Sequence, residues 1–177
     1  MVHPQLGPSK EDRKIRNDTF RTFKSNEEFW ERVDEKKMTR VLNAYAQVNG
    51  PTEVPTDATP LLSAPLQGKE KTGGLGGGYV QGMNVLVAPF LFVLPELDAF
   101  TAFSTMISRH CPRYVASNLD GVHHGCSLVD RALEILDPVL HLHISEKICR
   151  TEIFAFQFVM TLLANMLPLH EVVKVGV

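Results

Sequence analysis

The sequence predicts an all-α fold. Apolar residues recur at three- and four-residue spacing in one segment after another, and prolines and N-cap residues punctuate those segments. No stretch alternates apolar and polar residues convincingly enough to read as a strand.

Residues 1–12 are polar and charged and predict a disordered tail. Ile15 to Phe23, IRNDTFRTF, is a mixed stretch without clean periodicity. Ser25 followed by Glu28 reads as a capping box. Phe29, Trp30, Val33, Val41, Leu42, Tyr45 and Val48 then sit at helical spacings, so helix is predicted to about Val48, with a break near Asp34. Residues 50–78 differ in kind. They hold Pro51, Pro55, Pro60 and Pro65 and seven of the chain's twelve glycines. Such a composition buries too little apolar area to offset its ordering entropy and predicts a disordered insertion. The helical patterns on either side lack a full core of their own, so 13–177 reads as one interrupted domain.

Tyr79 to Val93 is apolar on most faces and predicts a buried helix, with a kink or break at Pro89 and a stop at Pro95. Glu96 to His110 is amphipathic through Leu97, Phe100, Phe103, Met106 and Ile107, and Pro112 stops it. Gly121 to Leu136 carries Val122, Cys126, Val129, Leu133 and Leu136 on one stripe. Asp137–Pro138 reads as an N-cap with proline at the first helical position, opening a helix to about Glu146. Thr151 caps the next helix, which carries Ile153, Phe154, Phe156, Phe158, Leu162 and Leu163. Pro168 opens a last amphipathic piece, LHEVVKV.

The 177 residues suffice for one domain with a real core. With 44% hydrophobic and 21% charged residues and a net charge of −2, nothing argues electrostatically for nucleic acid or an anionic membrane. The N-terminus has no apolar signal region, and the longest apolar run, Val85 to Leu94, is too short to span a bilayer. Cys111, Cys126 and Cys149 form no CxxC pair, which points to a reducing compartment, cytosol or nucleus.

Few motifs point to chemistry. The glycine run before Tyr79 completes neither a GK[ST] phosphate loop nor GxGxxG and reads as a linker. His123–His124 and His141-x-His143 lack zinc ligand spacing, since helix neighbours one or two apart diverge. A helical metalloenzyme built on these histidines is the remotest of the readings considered. Asp18 with Arg21, and Gln81 in YVQGM, read singly as a local ion pair and a helix-start glutamine.

Taken together they resemble something specific. IRNDTFR matches the Ile-x-x-Asp-x-x-Arg motif of TBC domains, all-helical domains that activate mostly Rab-type GTPases, and YVQGMN matches their Tyr-x-Gln-Gly-Met motif. RVLNAYAQVN and FAFQFVMTLLANMLPLHEVVKV are similar to the helix before that second motif and to later core helices. The likeness spans about residues 13–175. Its wording resembles the fungal mitotic-exit and septation checkpoint proteins of the family. Gln157 and Phe158 stand where the family usually has Arg-Trp. An earlier Arg-x-x-x-Trp motif and a later Val-Trp-Asp are not found. The resemblance therefore implies an incomplete TBC domain, clipped at both ends.

It also implies a mechanism. GTP hydrolysis needs charge stabilisation on the phosphate oxygens and an aligned water. Arg21 would supply the first in trans, and Gln81 the second. Asp18 would aim Arg21, Tyr79 would orient the turn, and Gly82 would permit close approach. The protein would need no cofactor or metal of its own, GTP and Mg²⁺ arriving with a Rab- or Ras-like GTPase. The implied setting is cytoplasmic, at the spindle pole body, with a regulatory scaffold subunit. The alternative is a non-catalytic helical module that docks a GTPase or a scaffold.

Overall fold

The computed structural model describes residues 7–50, 78–116, 118–147, 150–166 and 168–175. Among these there is helix and turn and no strand. The helices are α1 (Asp12–Arg21), α2 (Glu27–Arg32), α3 (Glu35–Asn49), α4 (Met83–Val93), α5 (Glu96–Thr105), α6 (Asp120–Leu136), α7 (Pro138–Lys147), α8 (Glu152–Met160) and α9 (Leu169–Val175). The predicted insertion, Gly50 and Gly78 apart, lies outside the described residues.

Residues 1–6 of the predicted tail also lie outside them, whereas the rest of that segment is fastened to α3. Ser9 N–H donates to Asn43 Oδ1 at 2.8 Å, and Asn43 Nδ2 donates to Asp12 Oδ1 at 2.8 Å. The mixed stretch becomes α1, which buries Ile15, Asp18 and Thr19 on one face. Two of those three are polar, which is why no hydrophobic period showed.

The predicted break at Asp34 is real and separates α2 from α3. Asp34 Oδ1 accepts from Lys36 N–H at 2.9 Å and caps α3. The cap of α2 is Asn26, not Ser25: Asn26 Oδ1 accepts from Phe29 N–H at 2.9 Å, while Glu28 pairs with Arg32 at 3.0 Å. Removing an N-cap acceptor costs about 1 kcal/mol. Asn26→Ala should lower stability by that amount in chemical denaturation, and Ser25→Ala should not.

Further expectations shift. The turn Tyr79–Gly82 precedes α4 and is not its first turn, and α4 continues through Pro89. The expected Glu96–His110 helix widens after Thr105 into a π-type turn, Met106–His110, closed by Cys111 N–H on the Met106 carbonyl at 3.0 Å. The helix after Thr151 ends at Met160, because Leu162 and Leu163 adopt positive φ and Leu163 N–H closes on the Phe158 carbonyl at 2.8 Å. The Thr151 hydroxyl does not cap α8 but donates to Asp130 of α6. Asp137 does cap α7, accepting from Leu140 N–H at 3.0 Å.

Two buried clusters result. The larger joins α1–α5 and α9 through Ile15, Phe29, Met38, Leu42, Met83, Phe103 and Leu169. The smaller joins α6 and α8 through Val122, Cys126, Ala155, Val159 and Met160. Val80, in the turn before α4, packs against both. No helix among the described residues is long and apolar enough to cross a membrane.

Candidate functional site

Arg21 is the last residue of α1, and Asp18 lies one turn before it. Arg21 Nη2 donates to Asp18 Oδ1; the arginine side chain is 59% exposed and the aspartate side chain 3%. A buried carboxylate is costly unless charged and hydrogen-bonded partners surround it. The second partner comes from the other motif: the Tyr79 hydroxyl donates to Asp18 Oδ2 at 2.9 Å. Burial, then the bond to Asp18, push the Tyr79 hydroxyl well above the usual tyrosine range. It therefore stays a neutral donor at physiological pH. Lys14 lies 5.7 Å from the centre of the Tyr79 ring, on the same helix as Arg21.

Gln81 is exposed, two residues beyond Tyr79, in the turn that delivers the chain into α4. That turn is tightly specified. Met83 N–H donates to the Val80 carbonyl at 3.1 Å, and Val85 N–H to the Gly82 carbonyl at 3.0 Å. Gly82 has φ 108°, a backbone that side chains with a Cβ resist. A Cβ there would also meet Met160 Cε at 3.2 Å and Cγ at 3.3 Å. We expect Gly82→Ala to cost about 1–2 kcal/mol from the backbone alone. Chemical denaturation measures this, and an unchanged midpoint would mean the turn is soft.

The structure thus brings together the predicted residues Asp18, Arg21 and Tyr79 directly, and holds Gln81 and Gly82 through the same turn. Arg21 and Gln81 are both exposed, whereas Asp18 and Tyr79, which join their two segments, are buried. Sequence reasoning missed two further members, Thr22 and Asn84, both buried. The Asn84 amide nitrogen donates to Thr22 Oγ1 at 2.8 Å and lies 3.3 Å from the Asp18 carbonyl. Its Oδ1 accepts from Gly82 N–H at 3.1 Å. Thr22 Oγ1 in turn donates to the Asp18 carbonyl at 2.8 Å. One signal was available: Asn84 is the lone amide at the start of MNVLVAPFLFV, and a buried amide must find partners.

The histidines do not converge. His123 faces Glu152 at 3.0 Å, His141 faces Asp130 at 3.2 Å and His124 faces Asp120 at 3.5 Å. No group of three His, Cys, Asp or Glu among the described residues could hold a metal ion. Burial pushes the thiols of Cys111 and Cys126 up, away from the thiolate a nucleophile needs.

Comparison with known proteins places the chain in a family. The sequence profile of the Rab-GTPase-TBC domain matches residues 3–175. The chain is 36% identical over 170 residues to cell division control protein 16 of Schizosaccharomyces pombe, covering 96% of the chain and 48% of that protein. It is 34% identical over 173 residues to mitotic check point protein BUB2 of Saccharomyces cerevisiae, covering 96% and 52%. With a putative mitotic check point protein BUB2 of Dictyostelium discoideum it shares 35% over 143 residues, covering 81% and 32%. The chain thus spans between about a third and about half of the length of these relatives. With both motifs in place and the profile matching along nearly its whole length, the chain belongs to the Rab-GTPase-TBC domain family.

Proposed function

We propose that this protein accelerates GTP hydrolysis by a Rab- or Ras-type small GTPase, contributing Arg21 and Gln81 to the partner's active site. One observation carries the reading: the buried Asp18 is shared between Arg21 and Tyr79, so the two motifs form one exposed-over-buried unit. Arg21 neutralises charge on the phosphate oxygens, since a guanidinium is always charged and offers five donors in a planar fork. Asp18 occupies one edge of that fork and leaves the rest to a phosphate. Gln81 has an acceptor and two donors, enough to hold the attacking water and bond to its surroundings. GTP and Mg²⁺ belong to the GTPase. The relatives named for mitotic check point and cell division control support a role in mitotic control. Action in mitotic exit or septation, in the cytoplasm at the spindle pole body and with a scaffold subunit, is part of the proposal.

The test mixes the purified chain with a panel of GTP-loaded Rab- and Ras-type GTPases and follows phosphate release in a single turnover. One GTPase should be stimulated. Gln81→Ala should lower that stimulated rate by about 10²–10³-fold, the usual loss when one preorganised polar group is removed from a transition state. Stimulation that is equal in wild type and Gln81→Ala would contradict the glutamine's role. Tight binding to one GTPase with no stimulation at all would instead favour a docking module.

A further inference from the structure

We infer that Asn84 is a positioning residue that sets the glutamine-bearing turn against the arginine-bearing end of α1, with Thr22 as its partner on α1. The inference rests on the activator reading above and goes beyond it. Arg21 and Gln81 lie on separate segments, and some physical tie must fix one relative to the other. Asp18 and Tyr79 supply one tie, but it ends at Tyr79, short of Gln81. Asn84 supplies the other, and it grips the turn on the far side of Gln81.

The geometry is specific to a carboxamide. Oδ1 takes Gly82 N–H at 3.1 Å, the peptide group immediately after Gln81. Nδ2 reaches Thr22 Oγ1 at 2.8 Å and the Asp18 carbonyl at 3.3 Å, the residues immediately after and one turn before Arg21. The Tyr79 hydroxyl lies 3.2 Å from the same Oδ1, so both ends of the turn meet at this one oxygen. Asn84 and Thr22 are buried, their polar groups spent on each other, the Asp18 carbonyl and the Gln81 turn, so they would act through Arg21 and Gln81. Backbone bonds from α4 hold the Gly82 carbonyl, and the Asn84 amide holds its N–H, on the side that faces Gln81 in the chain. A neutral apolar residue of similar size would leave Gly82 N–H and Thr22 Oγ1 short of a partner. An aspartate would set a second carboxylate beside Asp18.

The experiment uses the whole chain in the same single-turnover assay, on the GTPase the panel identifies, with Arg21→Ala as the reference for lost catalysis. Asn84→Ala should lower kcat by about 10²-fold with KM within about twofold, because misplacing reacting groups by an ångström costs that much in rate. Thr22→Val should lower kcat in the same direction, and Thr22→Ser, which keeps the hydroxyl, should restore it. If Asn84→Ala does not fold, judged by its thermal transition, the Thr22 pair decides. The inference is overturned if Arg21→Ala abolishes stimulation while Asn84→Ala matches wild type, and the activator reading then still stands. It is equally overturned if Asn84→Ala raises KM with kcat unchanged, or if Thr22→Ser is as impaired as Thr22→Val. Absence of stimulation by the wild type on every GTPase overturns both readings.

Discussion

Arg21→Ala should lower the stimulated rate of GTP hydrolysis by about 10³-fold or more, the range over which a trans arginine acts on phosphoryl transfer. That loss corresponds to roughly 4 kcal/mol or more of transition-state stabilisation. Binding of the GTPase should change little, because in the proposed role the arginine acts on charge that develops only as the phosphate transfers. Arg21→Lys should not restore the rate. An ammonium is a point charge without the planar fork, and the same residue must bond to Asp18 while meeting a phosphate. Single-turnover phosphate release with the three proteins checks this; a lysine variant close to wild type would show that charge alone suffices.

Phe103→Ala should be the most damaging substitution for the fold, at about 3–5 kcal/mol. Phe103 of α5 is fully buried. Its ring lies edge-on to Tyr45 of α3 at 5.1 Å between centroids and to Phe90 of α4 at 6.4 Å. Tyr45 is itself sealed in, its hydroxyl pushed up to about 12 by burial. Truncation therefore opens a cavity where three helices meet, and α4 is the helix on which the Gln81 turn rests. Domains are stable by only about 5–15 kcal/mol, so the loss takes a large share of the total. Denaturant unfolding measures it. A cost below about 1 kcal/mol would mean that the site collapses and refills. Exposed Phe20, whose ring lies under Lys24 at 5.0 Å, offers the control: Phe20→Ala should leave stability nearly unchanged.

The helices with apolar stripes were legible because burial at period 3.6 leaves a trace, as in α3 at Val41, Leu42 and Tyr45; in α6 the predicted stripe is buried only at Val122 and Cys126, and Leu136 is exposed. The break at Asp34 and the cap at Asp137 were legible because aspartate there satisfies exposed backbone N–H groups. α1 was not read as a helix from its own pattern. Its buried face is Ile15, Asp18 and Thr19, and a polar face turned inward looks like a solvated one until its partners are known. Its motif made the segment recognisable instead. The C-terminal end of α8 and the turn at Gln81 were misplaced for another reason. Leucines at positive φ and a glycine held by a side chain two residues on are tertiary choices, which local propensity does not encode. Asp18, Arg21, Tyr79, Gln81 and Gly82 were singled out from motifs alone. Thr22 and Asn84 were passed over because a threonine and an asparagine carry no charge and no reactivity, and their role shows only when the hydrogen bonds between distant segments are drawn.

The central claim is that Arg21 and Gln81 act together on one nucleotide held by another protein. The most direct measurement is the structure of the complex between this chain and its stimulated GTPase, loaded with GDP and aluminium fluoride to imitate the transferring phosphate. The account predicts the Arg21 guanidinium and the Gln81 amide both within hydrogen-bonding distance of the fluoride group or its attacking water, with Asp18 still bonded to Arg21. A complex in which either side chain faces away from the nucleotide, the GTPase's own residues filling that place, would contradict it.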